Sequence, residues 1–273
     1  MPMSLRTKLL LSCALVASAP LLASAAHADQ VKARYAVTLL GIPLGSASLD
    51  GDVGPGGYKI AVNAKLSGLA AMVSSTRGAA TAAGAYLKGA IIPSAYANTS
   101  ANSKETRTVR IAMQGGAVKG VDISPPMEPV PDRVPLTEAH KRNIVDPLSA
   151  LIMPVPGTDP VVGPAACNRT LPVYDGFTRF DVSLSYAGTR RVQTKGYSGP
   201  VVVCNVRYTP IAGHRNRKSV QFMSENKDIQ VWLAPVGQAR VVVPYRISVA
   251  TMMGATVIEA TEFGTEAATT PAL

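Results

Sequence analysis

Histidine, cysteine and aromatic side chains are all scarce in this 273-residue chain, and each scarcity closes off some chemistry. The three histidines, His27, His140 and His214, fall in no HExxH or comparable ligand spacing, so no imidazole metal centre is expected. The three cysteines, Cys13, Cys167 and Cys204, form no CxxC pair, which argues against a zinc site. Aromatics are 5% of the residues, too few stacking platforms for a nucleic-acid binder. Beyond residue 28 no stretch approaches the roughly 20 apolar residues of a membrane-spanning helix. Catalytic motifs are equally thin. In Gly196-Tyr197-Ser198-Gly199-Pro200 a proline stands where a nucleophile elbow has its last glycine, and a strand rather than a helix follows. Ser198, His214 and Asp175 are three common residues in loops, not a recognisable triad. The expectation is a protein that is not an enzyme and takes no cofactor or metal.

What is present begins with an export signal. Arg6 and Lys8 form a basic n-region, Leu9 to Leu22 an apolar stretch, and Ala26-His27-Ala28 a small-x-small cleavage site, so residues 1–28 read as a signal peptide. Leu10-Leu11-Ser12-Cys13 resembles a lipoprotein box, but it sits too close to Lys8 and would leave an apolar stub. A periplasmic protein is expected. Cleavage removes Cys13 and leaves Cys167 and Cys204 where thiols oxidise, so one disulfide is expected. The loop it closes would contribute roughly 4 kcal/mol through chain entropy. The mature chain keeps 25 basic against 17 acidic residues, about +8. That sign favours anionic headgroups or peptidoglycan, unless the surface is simply solvated.

Period-2 alternation dominates the rest. Tyr58, Ile60, Val62, Ala64 and Leu66 share one face while Lys59, Asn63, Lys65 and Ser67 share the other, a pattern no helix produces. Comparable runs predict strands at 31–39, 46–49, 76–87, 92–99, 105–114 and 117–123. From Cys167 onward come further strands at 171–174, 177–186, 189–196, 200–209, 219–224, 228–234, 239–250 and 255–263. Pro125, Pro126, Pro129, Pro131 and Pro135 make a linker that stops helix and ladder alike. Asp146 as N-cap with Pro147 at N1 starts one short helix, carrying Leu148, Leu151 and Ile152. Asp175-Gly176 reads as a type I′ hairpin turn. The fold class is all-β: a long antiparallel meander curled into a barrel or open half-barrel, one domain over residues 29–264 with a flexible tail at 265–273.

Several of these segments also carry a resemblance. Tyr35 with Leu40-Gly41-Ile42-Pro43-Leu44-Gly45, Asp146-Pro147-Leu148-Ser149-Ala150-Leu151, Val173-Tyr174-Asp175-Gly176 with Arg179-Phe180-Asp181, and Gly196 to Pro200 before Cys204 resemble the bacterial domain-of-unknown-function 3108 family over about residues 30–263. The resemblance implies a cell-envelope protein with a curled antiparallel sheet, similar to periplasmic lipoprotein carriers and to spiral-barrel envelope-integrity proteins. It brings no catalytic residue with it.

Two function classes follow. In the first, the concave face holds a lipid, lipoprotein or apolar peptide against Ile60, Val62, Val109, Ile111, Val182 and Leu184, with Leu148 and Ile152 as a lid. In the second, that face is packed shut and the protein is an envelope scaffold working through protein or peptidoglycan contacts. His214, Arg215, Arg217 and Lys218 form a basic run suited to gripping an anion.

Overall fold

Alternation in the sequence becomes one continuous sheet. The computed structural model describes residues 28–54, 57–67, 76–87, 89–237 and 239–267; the expected leader with Cys13 and residues 268–273 of the expected tail lie outside them. Seven strands come first: β1 (Asp29–Leu39), β2 (Ile42–Gly54), β3 (Gly57–Leu66), β4 (Arg77–Leu87), β5 (Ala90–Ala101), β6 (Thr106–Gln114) and β7 (Ala117–Ser124). A long crossing through the prolines contains the two-residue β8 (Met153–Pro154). Then come β9 (Arg169–Tyr174), β10 (Arg179–Thr194), β11 (Tyr197–Ala212), the helix α1 (Lys218–Glu225), β12 (Ile229–Pro235), β13 (Val241–Thr251) and β14 (Gly254–Ala267).

The spatial order is β7-β6-β5-β4-β3-β2-β1-β14-β13-β12-β11-β10-β9, so two meanders are fused where the first strand pairs with the last. That pairing is antiparallel from Asp29↔Ala267 to Leu39↔Thr256. The outermost strands, β7 and β9, do not pair with each other. Residues 142–145 lie between them instead. Arg142 bridges Ala117 and Val145 bridges Val173, while the Ile144 amide donates to Gly116 (3.2 Å) and the Val145 amide to Pro172 (2.9 Å). The curl is also closed from within: a Cβ at Gly176, whose φ is +98°, would stand 2.6 Å from Val109 Cγ1, so the turn after β9 rests directly on β6.

Buried side chains form two clusters. The larger contains Val31, Leu49, Tyr58, Ile60, Tyr96, Ile111, Ile144 and Phe263; the smaller gathers Cys167, Leu184, Val202, Cys204, Val231 and Leu233. Cys167 and Cys204 are joined by a disulfide with their Cα atoms 5.5 Å apart, inside the second cluster.

The structure corrects the expected elements at four places. Residues 219–224 are not a strand; they form α1, with Val220 and Met223 half-buried on one side and Gln221 donating to Glu225 (3.0 Å) one turn on. The expected helix after Asp146 is a single 3-10 turn, Ser149–Leu151, because the chain must extend again at once to enter β8. The expected strands at 177–186 and 189–196 are one strand, β10, whose register slips between Tyr186 and Gly188 without ending the ladder. Asp175-Gly176 is not a two-residue type I′ turn. Arg179 pairs with Tyr174 across a four-residue loop, in which Asp175 accepts from the Phe177 and Thr178 amides (2.8 and 2.7 Å). The left-handed pair typical of a type I′ hairpin occurs between β1 and β2, at Leu40 (φ +51°) and Gly41 (φ +80°). The last strand, β14, runs to Ala267.

Candidate functional site

Asp146 is fully buried, and its surroundings define the interior. Its Oδ1 accepts from the amides of Leu148 (3.0 Å) and Ser149 (2.9 Å), and its Oδ2 from the Ser149 hydroxyl (2.5 Å). Ser149 in turn lies 2.6 Å from the Tyr58 hydroxyl on β3. A polar chain of three side chains therefore pins the 3-10 turn to the inner face of the first meander. Burial raises the Asp146 carboxyl above the ordinary range, against the hydrogen bonds from Ser149 and Leu148 that favour its charged form. Burial likewise raises the phenols of Tyr58 and Tyr96, so both are neutral hydrogen-bonding groups at ordinary pH. Tyr35 is raised for the same reason and donates to the Pro244 carbonyl (2.7 Å) where β13 is irregular.

Beside this chain the interior is incompletely filled. A hollow of about 460 Å³ is lined by Tyr35, Val37, Ala47, Leu49, Val62 and Ala64 of the first meander, with Leu151, Ile247 and Ile258 opposite. A second of about 190 Å³ lies among Leu171, Phe180, Val182, Leu184, Val206 and Val231. Leu151, Pro244 and Ile247 border both. The 3-10 turn thus places one leucine between two apolar spaces. The larger falls within the roughly 300–1,000 Å³ of ordinary small-molecule sites. A hollow of about 700 Å³ elsewhere is wider, but Lys32, Asp50, Asp52, Lys59 and Arg110 rim its alanine-rich floor, so charged side chains surround it.

The predicted ligand residues divide accordingly. Val62 lines the larger hollow, and Val182 and Leu184 line the smaller. Ile60, Val109, Ile111, Leu148 and Ile152 belong to the packed core, at 2–7% exposure, and of these Ile60 and Ile111 also border the hollow of about 700 Å³. Leu151, expected only on the same helix face as Leu148 and Ile152, is the member of the turn that borders both hollows.

The basic run stays together but is partly spoken for. Arg215 grips Asp132 of the proline linker through Nε (2.7 and 2.9 Å), and this guanidinium holds the Asp132 carboxyl below its usual range. The Val134 amide donates to His214 and the Gly213 amide to Val134, both at 2.9 Å, so the run is stitched to the linker. Arg217 and Lys218 remain exposed at the start of α1. Asp175 spends both carboxylate oxygens on its own turn. Among the described residues no group of three or more His, Cys, Asp or Glu side chains is placed to hold a metal.

Two features had no sequence signal. Asp146 and Tyr58 are 88 positions apart and are linked, through Ser149, only by the curl. Trp232 lies between the guanidinium groups of Arg190 (5.4 Å) and Arg246 (4.9 Å), contacts worth about 0.5–1 kcal/mol each near a surface. Cross-strand neighbours of this kind are fixed by register, which composition does not reveal.

An open, curled antiparallel sheet with an internal polar plug and one disulfide defines a β-barrel-like protein. The comparisons place it further: the model of a family of proteins of unknown function, DUF3108, matches residues 34–261, and the chain belongs to that family. Among solved structures it is similar to a β-barrel-like protein of domain of unknown function DUF1849 from Brucella abortus. The two are 10% identical with a TM-score of 0.50, covering 87% of this chain and 98% of the other. At that identity the likeness is one of fold. No curated protein matches the chain. The intramolecular disulfide fits a protein folded outside the cytoplasm, and no helix among the described residues is long and apolar enough to cross a membrane.

Proposed function

We propose that this is a periplasmic envelope protein that binds rather than catalyses, and that its larger interior hollow takes an acyl chain or an apolar group of similar girth. The observation that carries the reading is the hollow itself: about 460 Å³ with an almost wholly apolar lining, beside a fully hydrogen-bonded polar turn. Such a space offers water few partners, and apolar hollows of this size gain from an apolar guest. Leu151 sits on a 3-10 turn held by side-chain hydrogen bonds, so a small rotation of that turn would join the two hollows into one longer slot.

The test is uptake of a fluorescent fatty acid by the purified protein, with native mass spectrometry for co-purified lipid. Ala47→Leu adds side-chain volume to the hollow and should abolish probe binding while leaving the melting temperature unchanged or higher. If the natural protein takes up no probe and carries no lipid, the binding reading fails. The face is then a packed core, and the protein is a scaffold acting through envelope contacts.

A further inference from the structure

One end of the sheet is apolar where a soluble protein would be polar. The β1–β2 and β13–β14 hairpins meet there, the Leu40 amide donating to Ala255 (2.9 Å). Their tips expose Leu40 (65%), Ile42 (59%), Met252 (61%) and Met253 (74%). These are four of the seven large apolar side chains exposed among the described residues, on two adjacent tips. Leu40 is the most telling. It occupies a left-handed position at φ +51°, where a branched aliphatic residue costs roughly 1–2 kcal/mol and where asparagine would sit readily. Its side chain lies over Gly254 of the neighbouring tip, where an added Cβ would collide with Leu40 Cδ2, yet most of it stays exposed.

The charge around these tips has one dominant sign. Hydrogen bonds continue the same rim from Leu44 to Ser67 and from Leu66 to Thr76, and strand pairing continues it to Arg77 and Ala101; on the other side the Ala250 amide donates to Asp228. Lys65, Arg77, Lys104 and Lys227 are exposed along this rim, and none is in an ion pair among the described residues. Of the carboxylates at this end, Glu105 is paired with Arg107 (2.6 Å), while Glu225, which accepts from the neutral Gln221 amide, and Asp228 keep their charges, so cations outnumber free carboxylates along the rim. The larger hollow reaches the same end through Leu66, Thr76 and Arg77.

We infer that this end docks on an anionic bilayer, with Leu40, Ile42, Met252 and Met253 entering the acyl boundary and the four free cations seated on phosphate headgroups. Shallow insertion of apolar tips flanked by Lys and Arg is how a peripheral surface gains from both hydrophobic and electrostatic attraction. The inference deepens the carrier reading, since the docked end is the one the hollow reaches. Docking itself is measured without any bound ligand.

The experiment is flotation of the purified protein with vesicles of phosphatidylglycerol and phosphatidylethanolamine, against vesicles of phosphatidylcholine alone, at low and raised salt. Binding should favour the anionic vesicles and weaken with salt. Leu40→Asn combined with Met253→Ser should reduce the bound fraction by about tenfold, as expected for losing two inserted apolar side chains. Fatty-acid uptake in solution should be unchanged, and Leu40→Asn alone should not lower the melting temperature, which separates loss of docking from loss of fold. A natural protein that floats with neither vesicle overturns the inference; so does one that floats equally well when the tips are polar. A dimer in solution that Leu40→Asn dissolves would assign the tips to self-association instead. Vesicle binding without probe uptake would leave docking standing and remove the carrier reading.

Discussion

Asp146 shows how far a single residue can be read. Its place before Pro147 marks it as an acceptor for the amides that follow, and the structure has it accept from Leu148 and Ser149. Its burial, and the Tyr58 hydroxyl that meets its partner Ser149, depend on the curl and are invisible in the local pattern. Burial also gives it a pH signature of uncommon sign. An unfolded aspartate titrates near 3.9, and the folded group titrates higher. Between those two values the folded protein holds the extra proton, so this group's contribution falls as pH rises through the window and is greatest below it. Asp146→Asn retains an acceptor for the two amides and removes the charge. Melting temperatures measured across acid to neutral pH should therefore decline less with rising pH in Asp146→Asn than in the natural protein. Parallel curves for the two proteins would show that the carboxyl is not strained by burial.

At the scale of elements, strands were legible because Gly and Pro punctuate a strict alternation; what escaped was decided by tertiary context. Val220-Gln221-Phe222-Met223 has enough β-formers to pass for a strand, yet Val220 with Met223 and Gln221 with Glu225 have the spacings that a helix face uses. The break expected between residues 186 and 189 is a bulge, because the sequence cannot say that β11 continues to pair on both sides of it. The turn at Ser149–Leu151 is held less by helix propensity than by its bonds to Asp146 and Tyr58, and those two links should differ in strength. Tyr58→Phe removes one outward hydrogen bond and should cost about 1 kcal/mol. Ser149→Ala withdraws a donor from a buried carboxylate and should cost more, about 1–3 kcal/mol. Urea unfolding of both variants and their double mutant checks the order; equal costs would mean that Ser149 serves Tyr58 alone.

For the whole molecule, the unanswered question in the sequence was how far the sheet closes, since periodicity is the same in an open and a closed curl. The answer lies in the linker, whose prolines announced only an interruption. Just past them, Arg142 to Val145 fills the gap between β7 and β9, and Ile144, at 2% exposure, is its anchor in the core. Edge strands left bare invite pairing with other chains, so this short segment covers two liabilities at once. Removing its anchor should open the seam before the rest. Ile144→Ala should destabilise the protein by about 2–5 kcal/mol, the usual range for truncating a buried isoleucine. More diagnostic is where protection is lost. The amides of Ile144, Val145 and Tyr174, which bond across the seam to Gly116, Pro172 and Val145, should exchange with deuterium much faster than those along the β1–β14 junction on the far side of the sheet. If seam and junction amides accelerate together, the sheet opens as one cooperative unit and the segment is no separate latch.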